Sequence, residues 1–259
     1  MGQMRIVILG TGTSTGVPAI GCKCPVCTSN NSRNKRLRPS AFVETGGASI
    51  LIDTAPDLRQ QALLYGIKRI DAVLYTHAHA DHIHGIDDLR AFNFLQWAPI
   101  PVYGDEATIN RIRSMFDYIF DQKRSEGGGK PMVETNVVDG EFEAAGVKIE
   151  PLRVFHGSME IFAYRIGSFA YMSDVSVIPP ETMDRIRGIE LLVLDALRYE
   201  KHPTHMNFEQ AIEAAGQIGA KRTLLTHFSH VVDHDQAIAK LPDGIEPAYD
   251  GMEIILEEK

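Results

Sequence analysis

Ile70-Asp-Ala-Val-Leu-Tyr-Thr-His-Ala-His-Ala-Asp-His82 begins as an apolar run and ends with three histidines and a carboxylate in six positions, 77 to 82. Imidazole nitrogens and a carboxylate oxygen at this density are what a borderline divalent cation such as Zn²⁺ or Mn²⁺ selects. His77 and His79 can point at one cation, while Asp81 and His82, on the next turn, can hold a second. The stretch reads as a buried strand that delivers ligands at its C-terminal end. It points to a dinuclear metal hydrolase whose remaining ligands lie elsewhere in the chain.

The same pattern recurs. Ile50-Leu-Ile52 ends in Asp53, Leu152-Arg-Val-Phe155 in His156, Ala170-Tyr-Met-Ser173 in Asp174, and Thr223-Leu-Leu-Thr226 in His227. Sites in α/β proteins gather at one end of the strands, where loops vary while the sheet stays rigid. If these strand ends share an edge, their side chains converge there.

Between these runs, strands are expected over Met4–Gly10, Pro99–Tyr103, Val147–Val154, Ile161–Ile166, Phe169–Met172, Leu191–Leu194 and Arg222–Leu225. Ala41–Thr45 and Ser49–Asp53 form a hairpin pattern around Gly46-Gly47. Helices are expected over Asp57–Tyr65 with Gly66 as C-cap, and over Ile86–Leu95, Ala107–Phe120, Pro180–Arg187 and Asn207–Gly216. Ser29–Pro39 reads as a polar, basic surface loop, and Gly127-Gly128-Gly129 as a mobile loop near the site.

A chain of 259 residues suits one large α/β domain, residues 1–259. A net charge of −8 gives no basic field for gripping long nucleic acid, so no such partner is expected. A small phosphate ester remains open, because two cations would invert the local field. The N-terminus carries no charged, apolar-core signal, and no apolar run approaches the ~20 residues of a membrane span. A cytoplasmic location and no membrane partner follow as the default. All three cysteines fall in Cys22-Lys-Cys-Pro-Val-Cys27. An odd, clustered set in a cytosolic protein is a poor disulfide framework and a better metal site.

Thr-His-x-His-x-Asp-His after a strand, with His156, Asp174 and His227 following later runs, resembles the metallo-β-lactamase superfamily over essentially the whole chain. Gly10-Thr-Gly-Thr-Ser-Thr-Gly-Val-Pro18, the cysteine triplet, Leu225-Thr-His-Phe-Ser-His230 and Asp250-Gly-Met-Glu253 resemble its PhnP-like phosphodiesterase branch. The resemblance implies a four-layer αββα sandwich with the metal site at one edge of two sheets. It implies that His77, His79 and His156 bind a first cation and that Asp81, His82 and His227 bind a second, with Asp174 bridging. Asp81 then also counts as catalytic. Two active-site cations, Mn²⁺ or Zn²⁺, would generate a bridging hydroxide nucleophile and absorb charge on a phosphoryl oxygen.

The resemblance also implies a structural Zn²⁺ held by Cys22, Cys24, Cys27 and His230, a homodimer, and a small phosphodiester or nucleotide substrate. Asp53 resembles the carboxylate that accepts the outer N–H of a metal-bound histidine; an N-cap for the following helix is the other reading. His205 resembles the family's non-ligand histidine, a proton donor to the leaving oxygen or a hydrogen-bond donor to phosphate. His84, His202 and His234 read as solvated, with His84 close enough to line the pocket. Arg198 is a candidate phosphate contact.

Thr11–Gly16 lacks the Lys-Ser/Thr of a phosphate loop and reads as a tight turn near the metal edge. Thioester or lactam hydrolysis, in the manner of glyoxalase II-like relatives, is the competing enzyme class. A tRNA 3′-processing nuclease would need a basic, Gly-rich arm that the sequence lacks. A structural or sensory metal module would not need an open site. A flavodiiron-type redox role would replace the second histidine of His-x-His with Glu.

Overall fold

The two histidine-bearing and aspartate-bearing edges come together because two seven-stranded sheets stack face to face. The computed structural model describes residues 2–121 and 129–257. The strands are β1 (Gln3–Gly10), β2 (Ser40–Thr45), β3 (Ala48–Ile52), β4 (Ala72–Leu74), β5 (Ile100–Gly104), β6 (Val133–Val137) and β7 (Phe142–Ala144). There follow β8 (Val147–His156), β9 (Met159–Ile166), β10 (Phe169–Met172), β11 (Leu191–Asp195), β12 (Arg222–Thr226), β13 (Ile245–Pro247) and β14 (Met252–Glu257). One sheet runs β14-β1-β2-β3-β4-β5-β6 and the other β13-β12-β11-β10-β9-β8-β7.

Alternation along each strand explains the layering. On β1, Met4, Ile6 and Ile8 join Phe162, Tyr164, Phe169, Tyr171, Leu191 and Val193 in the core between the sheets. Val7 and Leu9 face the other way, into a core with Leu58, Leu89, Phe92, Ile109 and Ile112 from the helices over the first sheet. Ala170, Met172, Leu192 and Leu194 likewise turn outward onto Phe208, Ala211 and Ile218. Strands buried on both faces read as continuous apolar runs, which is why their ends were visible in the sequence. The order helix, sheet, sheet, helix is the expected αββα sandwich.

Strand direction then sets the edge. β3, β4, β5 and β6 are mutually parallel, and so are β10, β11, β12 and β13. β8 is antiparallel to β9, which is antiparallel to β10, so β8 and β10 point the same way. The C-terminal ends of β8, β10, β11 and β12 therefore share an edge, as those of β3 and β4 do. Phe162 N donating to Thr76 O at 3.0 Å and Tyr164 Oη to Tyr75 O at 2.8 Å join the two edges.

Several expected elements are modified. Gly46 and Gly47, with φ of 58° and 82°, make the two-residue hairpin turn that this pair favours. The helix expected over Ile86–Leu95 starts as a 3₁₀ turn, Ile86–Asp88, before Leu89–Gln96. The helix expected over Ala107–Phe120 breaks at Phe116 (φ −116°, ψ 43°) into Glu106–Met115 and Asp117–Phe120. Of the expected glycine loop, Gly127 and Gly128 lie outside the described residues.

Ser29–Pro39 is less of a surface loop than its composition suggests. Arg36 is 2% exposed, its guanidinium donating to Val232 O at 2.7 Å and lying 4.9 Å from the Phe228 ring centre. Lys35 Nζ donates to Cys27 O at 3.0 Å. Charged groups spent on internal carbonyls hold this loop down. Among the described residues no helix is long and apolar enough to cross a membrane.

Candidate metal centre

Three residues at the shared edge, Asp53, Asp174 and His227, have left-handed backbone conformations, with φ of 61°, 61° and 65°. Non-glycine residues avoid this region, and exceptions cluster where a fold over-determines a functional geometry. Each follows a strand by one or two residues, so the chain turns there and its side chain is directed off the sheet end.

The ligand atoms of four groups each lie within 4.8 Å of one another: His77, His79 and His156; Asp81, Asp174 and His227; His77, His82 and Asp174; and His156, Asp174 and His205. Asp174 belongs to three of the four, a position from which one carboxylate can reach two ions. His79 is exposed, whereas the other members are buried, so the centre opens on the His79 side.

Outer hydrogen bonds fix which nitrogen each imidazole offers. Asp53 Oδ2 takes His82 Nδ1–H at 2.7 Å. It also accepts Thr76 Oγ1–H at 2.8 Å, and with that proton committed Thr76 Oγ1 accepts from His77 Nδ1 at 3.0 Å. One carboxylate thus orients two histidines, one directly and one through a hydroxyl. Its other oxygen holds Thr76 N at 2.8 Å. The N-cap reading of Asp53 fails, since Asp57 occupies the N-cap of Leu58–Tyr65. On the other sheet, His156 Nδ1–H donates to Thr204 O at 2.7 Å. Ser173 Oγ, whose proton goes to Asp174 Oδ2 at 2.7 Å, faces His227 Nδ1 at 3.3 Å.

The inner nitrogens are left without partners. His77 Nε2 and His82 Nε2 are buried and make no hydrogen bond. His82 Nε2 lies 3.1 Å from Asp174 Oδ2 and 3.3 Å from Asp81 Oδ2, close but not aligned for hydrogen bonding. Orphaned buried acceptors are costly unless something else satisfies them. The electrostatics make the same demand. Burial lowers His82, yet Asp174, Asp81 and Asp53 outweigh it and hold the imidazole well above its usual range. Burial pushes the Asp53 carboxyl up and the His77 imidazole down. A buried cluster whose three carboxylates pull a positive charge onto His82 fits divalent metal, which would supply that charge instead.

His205 sits beside this cluster, its ring 4.6 Å from His156 and 4.8 Å from His227, centre to centre. Its Nδ1–H donates to Asp195 Oδ2 at 2.7 Å, an oxygen that also accepts Val175 N at 2.8 Å. Burial alone would lower His205, but Asp195 raises it, while burial pushes Asp195 itself up to about 7. The role of Asp195 was missed in the sequence. It closes an apolar run as the other site residues do, but what it faces is set ten positions later in the chain.

A second cluster stands apart. The ligand atoms of Cys22, Cys24, Cys27 and His230 lie within 4.8 Å of one another, and the cysteines are free thiols. His230 Nδ1 is 3.4 Å from both Cys22 Sγ and Cys24 Sγ. Ala19 N donates to Cys27 Sγ at 3.3 Å and Cys27 N to Cys24 Sγ at 3.4 Å, amide bonds that favour thiolate. His230 draws the Cys24 thiol down to about 6, and burial lifts Cys27 to about 11. The donor set fits tetrahedral zinc.

Thr11–Gly16 lies against the His227 strand end: Phe228 N donates to Thr11 O at 2.8 Å and Thr13 N to Phe228 O at 3.0 Å. Asp250 anchors that loop, accepting Thr11 N at 2.8 Å, Thr11 Oγ1 at 2.7 Å and Leu37 N at 2.6 Å. His84 is exposed, its ring 5.7 Å from Phe116. His234, expected in solvent, is 1% exposed, because its ring packs edge-on against Tyr249 and its backbone N–H donates to Asn34 Oδ1. Arg198 donates to Glu200 O and Lys201 O at 3.4 and 3.3 Å.

A family model described as "Beta-lactamase superfamily domain" matches residues 48–228. The chain belongs to the beta-lactamase superfamily. It stands in the PhnP-like branch: a new diphosphatase from the PhnP family, known by crystal structure, is 43% identical, with a TM-score of 0.92 covering 99% of this chain and 98% of that one. Zn²⁺-bound PqqB from Methylobacterium extorquens is similar in fold alone, at 22% identity and a TM-score of 0.76 over 96% of this chain and 99% of that one.

An octanoyltransferase of Porphyromonas gingivalis (strain ATCC BAA-308 / W83) is 41% identical over an alignment of 261 positions that covers 99% of this chain but 52% of that protein. The chain therefore spans about half the length of that relative. Family and ligand chemistry together make this chain a metal-dependent hydrolase.

Proposed function

We propose that this chain hydrolyses a small phosphodiester, cyclic or nucleotide-like, with two divalent cations, Mn²⁺ or Zn²⁺, at the shared strand edge. The observation that carries the reading is the overlap of the His77, His79, His156 side and the Asp81, His82, His227 side through Asp174, with His205 held by Asp195 beside them. His77, His79 and His156 would hold one cation, Asp81, His82 and His227 the other, and Asp174 both. Bound there, the cations would acidify a water and draw charge off a phosphoryl oxygen.

The protein's own part is orientation and proton handling. Asp53 keeps His82, and through Thr76 His77, with Nε2 turned inward. Thr204 O does the same for His156. His205 has its Nδ1 proton committed to Asp195, so Nε2 is the nitrogen that can pass a proton to the leaving oxygen. Asp195 raises His205, which favours a proton at Nε2. The Cys22, Cys24, Cys27 and His230 cluster would hold one structural Zn²⁺ and tie the N-terminal loop to the segment carrying His227. The diphosphatase relative supports attack at phosphorus, and the name octanoyltransferase belongs to a protein whose other half lies outside the alignment.

The test compares bis-p-nitrophenyl phosphate with a thioester on one metal-loaded preparation, with metal content measured. Turnover of the diester, with two ions per edge site and one zinc per cysteine site, is expected. Turnover of the thioester alone would sink the phosphodiesterase reading in favour of a glyoxalase II-like one.

A further inference from the structure

Three imidazoles stand in a row that leads out of the metal centre. His156 is followed by His205 at 4.6 Å between ring centres, and His205 by His202 at 5.1 Å. His205 is 9% exposed, whereas His202 is half-buried at the outer end of the row. The loop that carries His202 is pinned on several sides. His156 Nδ1–H holds Thr204 O, Met206 N donates to Val175 O at 2.7 Å, and Leu197 N donates to Met206 O at 3.0 Å. Gly157 packs so tightly on this loop that a Cβ there would lie 2.8 Å from Thr204 Cγ2. A loop so fastened holds its tip in place.

The tautomer of His202 follows from its neighbours. Its Nδ1 lies 3.4 Å from Thr204 N and 3.2 Å from Thr204 Oγ1. A backbone amide can only donate, so Nδ1 is the acceptor and the proton sits on Nε2. Among the described residues that Nε2–H has no partner. Arg198 lies along the same loop, its Nε and Nη2 spent on Glu200 O and Lys201 O, which leaves Nη1 free and ties the charge to the carbonyl of the residue before His202. Burial, with His205 and Arg198 nearby, keeps the His202 ring neutral. A neutral N–H donor and a fixed guanidinium, next to the residue that faces the leaving oxygen, are suited to a second anionic group.

We propose that His202 and Arg198 form an outer anion subsite that holds a second phosphoryl group on the departing side of the substrate. The subsite rests on the phosphodiesterase reading and narrows it: a substituted diphosphate, cleaved between its phosphorus atoms, is preferred to a diester with an uncharged leaving group. His202 Nε2–H and Arg198 Nη1 donate to the non-reacting phosphoryl oxygens, and His205 remains nearest the breaking bond.

The test uses the metal-loaded full chain and its variants His202→Ala, His202→Gln and Arg198→Gln, with thermal midpoints matched to show that each folds. kcat and KM are measured for diadenosine diphosphate and for bis-p-nitrophenyl phosphate. Losing one charge-assisted contact should lower the ratio of kcat/KM, diphosphate over diester, by about tenfold in His202→Ala and Arg198→Gln, mainly through KM. His202→Gln, whose amide can place a donor near the Nε2 position, should recover most of that ratio. A ratio unchanged in both His202→Ala and Arg198→Gln overturns the subsite. Should the wild-type chain hydrolyse neither phosphorus compound, the functional reading fails. The subsite is then judged by the ¹H–¹⁵N signal of the His202 ring: a shift with added diadenosine diphosphate supports it, and no shift overturns it.

Discussion

Asp195 receives both of its hydrogen bonds, from His205 Nδ1 at 2.7 Å and Val175 N at 2.8 Å, on the same oxygen, while its buried Oδ1 has none. A carboxylate half unpaired in the interior is costly, so it is retained where its charge is used. Its effect passes through His205, which makes Asp195 a positioning residue. Asp195→Asn keeps the shape and removes the charge. We expect kcat to fall ~10–100-fold with KM little changed, as for other carboxylates that support a working histidine. The limb of the pH–rate profile that reports the acid should move to lower pH. A shift in KM alone would argue that Asp195 serves only the fold.

Asp53 serves two imidazoles at once, so its loss should be felt as metal affinity before it is felt as stability. Asp53→Asn leaves one acceptor oxygen and one NH₂ donor, so it cannot accept from Thr76 Oγ1 and His82 Nδ1 on one side and from Thr76 N on the other. Chelator competition should show affinity at the edge site ~10–100-fold weaker. Zinc at the cysteine cluster should be unaffected, which makes it an internal control.

Asp81 has the opposite profile. It is 8% exposed at the open side, on the short helix Ala80–Ile83, and no backbone amide depends on its carboxylate among the described bonds. Asp81→Ala should abolish hydrolysis and lower the metal count at the edge while the circular dichroism spectrum and thermal midpoint stay near wild type. Retained turnover would contradict a two-cation site.

The cysteine cluster should act on stability. Cys24→Ser removes the sulfur that faces both His230 Nδ1 and Cys27 N. If the bound zinc contributes ~3 kcal/mol, its loss lowers the midpoint by roughly 6–12 °C in a chain of this size. The zinc stoichiometry should fall in step. A midpoint that does not respond to a strong chelator would show that the thiols hold no structural ion.

Much of this centre could be read from the chain because each ligand follows a run of buried residues. β3, β4, β10 and β12 are buried on both faces and β8 on one, where Leu152 and Val154 lead up to His156, and a polar residue at the end of such a run stands out. The partners were less legible. Thr76, Ser173 and the Thr204 carbonyl orient histidines, yet nothing in their local sequence separates them from ordinary turn residues. Asp195 shows the same limit, because its meaning depends on a loop that returns His205 to it. The edge strands β6, β7, β13 and β14 were also missed. β14 alternates exposed and covered positions at the sheet margin, with Glu253 and Glu257 on the open side, β6 has no fully buried position, and β7 and β13 are only three residues long. Arg36 misled in the other direction, since a basic residue in a polar stretch gives no local sign that it will be buried.

The left-handed backbone at Asp53, Asp174 and His227 has a bearing on how this chain could be improved in the laboratory. Each such residue carries about 1–3 kcal/mol of conformational strain, which Gly relieves in full and Asn in part. A selection for heat resistance alone would therefore favour Gly or Asn at these three positions. Its winners would be hardier proteins with an emptied catalytic edge, so any thermostability campaign on this fold should hold 53, 174 and 227 fixed from the outset.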